Sequence, residues 1–355
     1  MTGARQVWSI GRRAIGAGAP IFIVAEAGVN HNGDPALARR LVDAAADSGA
    51  DAVKFQTFRV DALLTRGAPK AGYQVETTGA GESQRDMLAR LELSLETLTA
   101  LKAQASARGL VFFSAPFDEE SVDVLAALGV ALFKVPSGEV TNLPLLRHLA
   151  GKGRPIILST GMSSLEEVEA AAAAIREAGD PPLAVLHCLS AYPAPVAEVN
   201  LRAMDALAAR LGCPVGFSDH TLGIEIAVAA AARGAAIIEK HLTLDKTLPG
   251  PDHRASLDPG EFKGMVRAIR AVESALGDGE KRLMPSEADT RRVARKSLVA
   301  ARPLAAGERL AARDVVVKRP GTGISPAELD RVLGRRLTKA VAADEVIGWD
   351  AVAEP

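Results

Sequence analysis

The stretch Ile21-Phe22-Ile23-Val24-Ala25, followed by a segment of helical period at residues 35–48, decides the fold because the same unit recurs along the chain. Each unit joins a short apolar run to a longer segment of helical period. The apolar runs lie at residues 21–25, 52–56, 110–114, 131–135, 155–159, 183–187, 215–218 and 236–240. The helical segments lie at residues 35–48, 95–107, 119–128, 143–150, 164–177, 201–210, 224–233 and 259–276.

The runs are apolar throughout rather than alternating, which is typical of parallel strands covered on both faces. Eight strand–helix units within roughly 250 residues predict an α/β fold of the (β/α)8 TIM-barrel type. A doubly wound open sheet is the alternative. Such a sheet more often has about five to seven strands, and no Gly-x-Gly-x-x-Gly motif follows the first run here.

Three segments are expected along the chain. Residues 1–277 are predicted to form the barrel, residues 278–295 a charged linker, and residues 296–355 a small, mostly irregular β domain. Within the barrel, residues 58–90 separate the second strand from its helix. That is too long for a plain connection, so this loop is expected to be a lid or a partly ordered excursion.

The composition excludes several classes of protein. The 355 residues include 42 basic and 43 acidic side chains, which argues against a nucleic-acid partner and a polyacidic tail. Two cysteines, Cys188 and Cys213, make no disulfide framework and favour a reducing cytoplasm. The sequence has no run of ~20 apolar residues, so no membrane-spanning helix is predicted. The apolar stretch at residues 14–25 is interrupted by Gly and Pro, so it predicts a strand rather than a signal peptide.

Polar side chains stand at the ends of nearly all the predicted strands. In a barrel of this type the functional residues lie at the carboxyl ends of the strands, so these side chains predict a single site. They are Glu26, Lys54, Gln56, Ser114, Lys134, Ser137, Glu139, Ser159, Thr160, His187, Ser218, Asp219, His220, Glu239, Lys240 and His241.

Two of the histidines are candidate metal ligands. His220 and His241 end neighbouring strands, so their imidazoles can converge on one divalent ion with positions left for water and substrate oxygens. The alternative is a pair of hydrogen-bonded histidines at the barrel rim. His187 is expected to belong to the packing of the barrel, and His148 is expected on the surface of a helix.

Two lysines lie inside otherwise apolar runs. A buried, unpaired ammonium group is costly, so Lys54 and Lys134 each need an anion. With Ser137, Ser159 and Ser218 nearby, a ligand carrying phosphate or carboxylate meets that need. Ion pairing with Glu26 or Glu239 is the alternative, and a Schiff-base role for one lysine is a third interpretation.

Several motifs, taken in order, resemble the sialic acid synthases. The segment at residues 23–33, which reads IVAEAGVNHNG, resembles the opening signature of that family. It is followed by the motifs KFQT at residues 54–57, STGM at 159–162, GFSDHT at 216–221, EKH at 239–241 and GPDH at 250–253. The segment KRPGTG at residues 318–323 is similar to the family's antifreeze-like (SAF) domain. The resemblance spans nearly the whole chain.

The resemblance implies an activity. Members of the family condense phosphoenolpyruvate with an N-acetylated sugar aldehyde, release phosphate by C–O cleavage and form a nine-carbon 2-keto acid. It also implies that His220 and His241 hold a divalent ion, Mn²⁺ in this family, which orients and polarises the aldehyde. The implied assembly is a domain-swapped homodimer in the cytoplasm, acting on small molecules and not on a membrane.

The resemblance also implies roles for the other candidate residues. Glu26 and Glu139 are the acid–base candidates, one for the attacking water and one for the departing phosphate. Arg319 would reach the site of the partner subunit and hold the N-acetyl group. The phosphoenolpyruvate anions would be bound by Lys54, Lys134, Ser137, Ser159 and Ser218. The sugar would be contacted by Gln56, Ser190, Tyr192 and Asp252.

Two departures from the family pattern bear on the identity of the sugar. Ser190 stands where N-acetylneuraminate synthases usually carry Asn, and Ala115 replaces a common hydroxyl residue. The expected acceptor is of the N-acetylmannosamine type, and the alternative is a diacetylated 6-deoxyhexose that leads to legionaminate or pseudaminate. More distant alternatives are a metal-dependent pyruvate aldolase and a non-catalytic sugar-binding barrel.

Overall fold

The computed structural model describes residues 7–11, 13–79 and 81–354. The chain forms two compact units, divided between Gly277 and Asp278. The first unit is built on a closed barrel of eight parallel strands, which confirms the predicted TIM-barrel fold. No helix in the described residues is long and apolar enough to cross a membrane.

The barrel strands follow one another in chain order, and the last strand pairs with the first. We label the strands of the chain β1 to β12. The barrel consists of β3 (Phe22–Gly28), β4 (Ala52–Thr57), β5 (Val111–Pro116), β6 (Phe133–Val135), β7 (Ile156–Ser159), β8 (Leu183–Cys188), β9 (Val215–Asp219) and β10 (Ile237–His241).

Helices cover the outside of the barrel. They are α1 (Pro35–Asp47), α5 (Leu95–Ala107), α6 (Glu119–Leu128), α7 (Leu143–Ala150), α8 (Leu165–Glu177), α9 (Ala203–Leu211), α10 (Glu225–Ala232) and α11 (Pro259–Leu276). The bounds of α5, α6, α7 and α11 agree with the prediction, because each begins after a residue whose side chain caps the helix. At α6, for example, Asp118 accepts a hydrogen bond from the amide of Ser121.

A short hairpin precedes the barrel and was not expected from the sequence. It pairs β1 (Trp8–Ile10) with β2 (Arg13–Ile15) in antiparallel register. Trp8 and Ile15 are buried in a hydrophobic cluster with interior residues of the barrel such as Phe22. The hairpin therefore closes the barrel at the amino ends of its strands.

Alternation along each strand divides the barrel interior into two zones. The apolar cluster beside the hairpin contains Val24, Ala52, Ile157 and Ile237. Two residues further along their strands stand Glu26, Lys54, Ser159 and Glu239, which face the same side because side chains alternate with a period of two. The interior is thus apolar at the amino ends and polar at the carboxyl ends.

The segment at residues 58–90 is an insertion after β4. It contains α2 (Val60–Leu63), α3 (Gly72–Thr78) and α4 (Gln84–Ala89). Phe58, Val60 and Leu91 bury their side chains with Val29 in a small core separate from that of the barrel. The segment expected to be a lid or a partly ordered excursion is therefore a folded insertion with helices of its own.

The second unit has its own hydrophobic core. The hairpin of β11 (Ser297–Ala300) and β12 (Val315–Lys318) is antiparallel, and α13 (Leu329–Val332) follows. Leu298, Ile324 and Ile347 are fully buried. The segment expected as a linker, residues 278–295, contains the helix α12 (Ala288–Ala294) and belongs to this unit.

Candidate active site

The predicted site residues of the barrel line a single cavity of about 430 Å³ at the carboxyl ends of the strands. This volume lies in the range of small-molecule sites. The predicted residues that line the cavity are Glu26, Lys54, Gln56, Lys134, Ser137, Glu139, Ser159, Ser190, Tyr192, Ser218, His220, His241 and Asp252.

A buried network of two lysines and a carboxylate lies at the base of this cavity. The Oε1 atom of Glu239 is 3.0 Å from Nζ of Lys54 and 3.3 Å from Nζ of Lys134. Lys54 also lies 3.3 Å from Glu26, and Ser218 donates a hydrogen bond of 3.1 Å to Glu239. The ion pairing left open by the sequence is therefore present, with Glu239 at its centre.

Burial and the neighbouring charges set the protonation states in this network. Burial by itself raises the pKa of Glu239, but Lys134 and Lys54 outweigh it and hold that pKa well below its usual range. Burial lowers the pKa of Lys54, but the carboxylates of Glu239 and Glu26 outweigh it and raise that pKa. Burial lowers the pKa of Lys134, against the opposing effect of Glu239. One carboxylate thus stands between two lysines.

Glu26 has the electrostatics of a proton-transfer group. Its side chain is 1% exposed, and burial raises its pKa to about 7, with Lys54 acting in the opposite direction. Gln56 donates a hydrogen bond of 3.2 Å to its Oε1 atom, whereas Oε2 lies 3.3 Å from Nζ of Lys54. A carboxyl with a pKa near 7 can give or take a proton at neutral pH.

The hydroxyl groups and Glu139 occupy neighbouring strand ends. Lys134 donates a hydrogen bond of 2.7 Å to Ser159, and Ser137 accepts one of 2.9 Å from the amide of Gly161. Glu139 lies in a turn after β6, where burial raises its pKa and Asn142 donates a hydrogen bond to it. Glu139 is half-buried and lines the cavity.

The two candidate metal ligands lie beside each other. The ring centroids of His220 and His241 are 5.3 Å apart. Nδ1 of His220 donates a hydrogen bond of 2.8 Å to the carbonyl oxygen of Leu189, which leaves Nε2 as the coordinating nitrogen. Nδ1 of His241 is buried without a hydrogen-bond partner and lies 3.8 Å from Asp252.

An unpaired buried imidazole nitrogen beside a second imidazole fits a divalent ion. Burial lowers the pKa of His241 well below its usual value, which keeps the ring in the neutral form that binds metals. Among the described residues, no group of three or more His, Cys, Asp and Glu is arranged to hold an ion. The two imidazoles would leave the other coordination positions of such an ion to water or substrate oxygens.

Some polar strand-end residues point away from the cavity. Ser114 lies 2.7 Å from the hydroxyl of Thr57, and His187 donates to the carbonyl oxygen of Val199 at 2.6 Å. Asp219 and Lys240 pair with each other, fully buried. These residues occupy the alternate positions of their strands and serve the packing between strands and helices.

Arg319 and His148 each lie at the surface of their own unit. Arg319 belongs to the second unit, where it is exposed directly after β12. His148 lies on the surface, 2.8 Å from Asp123.

Tyr73, Gln74 and Cys188 line the cavity but were not predicted as site residues. Tyr73 lies on the insertion, outside any strand. Gln74 on the same helix and Cys188 at the end of β8 also line the cavity. Burial raises the pKa of Cys188, but its neighbour His220 outweighs burial and lowers that pKa to about 7. Side chains alternate along β8, so Cys188 faces the same side of the strand as Leu186. That pattern could have indicated that Cys188 faces the barrel interior.

Comparison with known proteins places this chain among sugar-acid synthases. It is 46% identical to the N,N'-diacetyllegionaminic acid synthase of Legionella pneumophila, over 95% of this chain and 96% of that protein. It is 47% identical to the synthase of the same name from Campylobacter jejuni, over 92% of this chain and 98% of that protein. The solved N-acetylneuraminic acid synthetase of Leptospira borgpetersenii is 35% identical, with a TM-score of 0.71 over 81% of this chain and 95% of that chain.

Family models account for both units. The model of the SAF domain matches residues 295–353, which include β11 and β12. The model of the NeuB family matches residues 41–281, which is most of the barrel. The motifs, the barrel and these matches agree, and the chain belongs to the NeuB family.

Proposed function

We propose that this protein condenses phosphoenolpyruvate with an open-chain, N-acetylated sugar to give a nine-carbon 2-keto acid and phosphate. The observation that carries the proposal is the convergence, in one cavity, of an anion-binding end and an imidazole pair. Lys54 and Lys134 form the first, and His220 and His241 the second.

The lysine end suits phosphoenolpyruvate. Two ammonium groups share one carboxylate, Glu239, so the network keeps a surplus of positive charge when Glu26 is protonated. The hydroxyl groups of Ser159 and Ser218 adjoin these ions and can donate to phosphate or carboxylate oxygens. Charge and hydrogen bonding together hold the enol phosphate in a fixed orientation.

The imidazole end suits the aldehyde of the sugar. His220 and His241 would hold a divalent ion, Mn²⁺ by family resemblance, which supplies Lewis-acid polarisation of the carbonyl group. With the aldehyde held beside them, C3 of phosphoenolpyruvate can attack it, and C2 then becomes electron-poor and adds water. Collapse of that adduct breaks the C–O bond to phosphate.

Two carboxyl groups can serve the proton transfers. Glu26 has a pKa of about 7 and lies against Lys54 at the anion-binding end. Glu139 lines the same cavity from the turn after β6. We propose that one takes a proton from the attacking water and the other protonates the departing phosphate.

The acceptor is proposed to be a diacetylated 6-deoxyhexose of the legionaminate type. The two legionaminic acid synthases described above are 46% and 47% identical to this chain over nearly its whole length. This replaces the N-acetylmannosamine-type acceptor that the motifs first suggested. Ser190, which departs from the N-acetylneuraminate pattern, lines the cavity and is in keeping with a different sugar.

A phosphate-release assay tests the proposal. The protein, supplied with Mn²⁺ and phosphoenolpyruvate, is offered a panel of acetylated hexosamines. We expect phosphate release that depends on the sugar and is fastest with the 2,4-diacetamido-2,4,6-trideoxyhexose. If no sugar of the panel releases phosphate above the sugar-free rate, the proposed reaction is wrong. Consumption of pyruvate in place of phosphoenolpyruvate would indicate an aldolase.

A further inference from the structure

We propose that the insertion at residues 58–90 selects the acceptor sugar, with Tyr73, Leu64 and Leu88 lying against its methyl-bearing groups. This inference rests on the proposed function. It concerns the choice between sugars and not the condensation itself, so the two can fail separately.

The cavity has walls of opposite character. The strand ends contribute charged and hydroxyl groups, as described above. The insertion contributes Phe58, Leu63, Leu64 and Leu88 to the same cavity. Phe58 stacks edge-on against Phe117, with ring centroids 6.0 Å apart, so the wall is backed by a packed apolar core. A ligand that spans the cavity therefore meets polar groups at the strand ends and mainly hydrocarbon on the side of the insertion, where Gln74 and Gln84 are the polar exceptions.

Tyr73 joins the insertion to the imidazole end of the cavity. Its ring centroid lies 5.0 Å from that of Tyr192, and Tyr192 lies 4.2 Å from His220. The chain has two tyrosines, and both stand in this stack. The aldehyde of the sugar is proposed to bind beside His220, so the remainder of the sugar extends along the stacked rings toward Tyr73.

Hydrogen bonds hold the helix that carries Tyr73. Lys70 donates to the hydroxyl of Thr78 at 2.9 Å and to the carbonyl oxygen of Gly79 at 3.0 Å, at the end of α3. At the start of the helix, the side-chain oxygen of Gln74 accepts a hydrogen bond of 3.0 Å from the amide of Ala71. Tyr73 is thus positioned without help from a ligand, as a selective wall requires.

The far end of the insertion is also held against the barrel. Gly33 has a φ of +78°, and a Cβ atom at this position would lie 2.1 Å from the carbonyl oxygen of Arg90. The glycine therefore lets the backbone of the insertion approach the NHNG turn of the barrel. The carboxyl end of the insertion is thus held against the turn that follows β3.

An apolar wall discriminates between the two sugar classes. A 2,4-diacetamido-2,4,6-trideoxyhexose carries two acetyl methyl groups and the C6 methyl group. N-acetylmannosamine carries one acetyl methyl group, with hydroxyl groups at C4 and C6. Each methyl group buried against Leu64, Leu88 or Tyr73 is favourable, whereas a hydroxyl group placed there loses its hydrogen bonds to water. The wall thus favours the deoxygenated, diacetylated sugar.

The test compares kcat/KM for these two sugars in the same protein preparations, with Mn²⁺ and phosphoenolpyruvate present. The wild type should prefer the diacetylated sugar. Tyr73→Ala and Leu88→Ser should each reduce the preference by about tenfold or more through a higher KM for that sugar. The KM for phosphoenolpyruvate should stay within about twofold. Tyr73→Phe keeps the stacked ring and should retain most of the preference.

Val75→Ala is the matched control, because Val75 lies on the same helix, is exposed and does not line the cavity. Its preference should equal that of the wild type. The ratio of kcat/KM for the two sugars does not change when part of the protein is misfolded. A poorly folded variant therefore still gives a valid result. If Tyr73→Ala and Leu88→Ser keep the wild-type ratio, the insertion does not select the sugar. Absence of phosphate release with every sugar would instead overturn the proposed function.

Discussion

The Nζ atom of Lys240 lies 2.7 Å from Oδ2 of Asp219, and both side chains are completely buried. Lys240 also donates to the carbonyl oxygen of Thr221, and Asp219 accepts two hydrogen bonds from Thr221. The pair joins the ends of β9 and β10 on the outer face of the barrel. Asp219 directly precedes His220, and Lys240 directly precedes His241. The pair therefore helps to set the spacing of the imidazoles.

We expect Lys240→Met to be strongly destabilising, because it leaves the Asp219 carboxylate buried without a partner. Breaking a buried pair costs about 3–5 kcal/mol. The double variant Lys240→Met, Asp219→Leu should recover part of that loss, because it leaves no unpaired charge but still removes the hydrogen bonds to the buried Thr221. Thermal or denaturant unfolding measures both.

Lys246→Met is the control for this prediction. Lys246 pairs with Glu261 in a partly exposed position, 2.8 Å away. Such a pair contributes less than about 1 kcal/mol. If Lys240→Met and Lys246→Met lower stability equally, the buried pair has no special role.

The metal assignment predicts that His220→Ala and His241→Ala each abolish binding of Mn²⁺. Calorimetry or electron paramagnetic resonance of the free protein measures this without reference to turnover. Chelation should also stop phosphate release, and added Mn²⁺ should restore it. Loss of Lewis-acid catalysis is expected to cost several kcal/mol of barrier. His148→Ala, at a surface histidine, should bind the ion as the wild type does. Full activity in the presence of chelator would refute the assignment.

The proposed order of bonds predicts the fate of an isotope label. Phosphoenolpyruvate with ¹⁸O in the bridging position should give labelled phosphate, because the C–O bond breaks and the bridging oxygen leaves with phosphorus. Mass spectrometry of the released phosphate and of the keto acid makes the measurement. Label retained in the keto acid would mean P–O cleavage and a different route.

His31 should contribute a loss of stability as the pH drops from about 6.5 to about 4, whereas the raised pKa of Glu26 contributes in the opposite direction. The His31 side chain is completely buried, and burial lowers its pKa from 6.5 to about 4. Between these values the unfolded chain binds a proton that the folded chain does not, so acid favours unfolding. At one site such a shift corresponds to roughly 3 kcal/mol.

Melting temperatures across this pH window measure the effect. In His31→Gln the slope of stability against pH in this window should be less positive than in the wild type, because one of the groups that takes up a proton on unfolding is gone. Burial also lowers the pKa of His253 to about 4, so His253 should still contribute to the slope of stability against pH in the variant. Identical slopes in the two proteins would mean that His31 does not contribute.

The family resemblance implies that Arg319 completes the sugar site of a partner subunit, which remains a prediction. Arg319→Ala should raise the KM for the sugar far more than that for phosphoenolpyruvate, because a guanidinium hydrogen-bonds a carbonyl directionally. Arg313→Ala, at another exposed arginine of the same unit, serves as the control. Mixing Arg319→Ala with His220→Ala should restore some activity, since one hybrid site is intact. No recovery after demonstrated subunit exchange would contradict the swap.

The sequence alone determined the barrel and placed its strands and helices to within three residues of their bounds. Apolar runs of strand length alternate with segments of helical period, and this local pattern survives in the fold because each element buries its own apolar face. Helix α11 begins and ends as predicted, since Asp258 caps it and Pro259 opens it. The strand-end positions of Lys54, His220 and His241 follow from the same pattern, so the candidate site could also be located from the sequence.

The tertiary structure alone decided which strand-end residues share the cavity. Glu239 and Lys240 are adjacent in sequence, yet Glu239 joins Lys54 and Lys134 inside the barrel while Lys240 pairs with Asp219 outside. A shift of one residue in strand register would exchange these roles, and only the closed barrel sets that register.

The insertion is a stronger example of an arrangement that the sequence alone could not predict. Tyr73 and Tyr192 are far apart in sequence, and no periodic pattern links them, yet their rings lie 5.0 Å apart. Their contact depends on the fold of residues 58–90 over the strand ends, where Val29, Phe58 and Leu91 form a core from separate parts of the chain. Local sequence signals report local structure, whereas long-range packing of this kind arises only when the whole chain has folded.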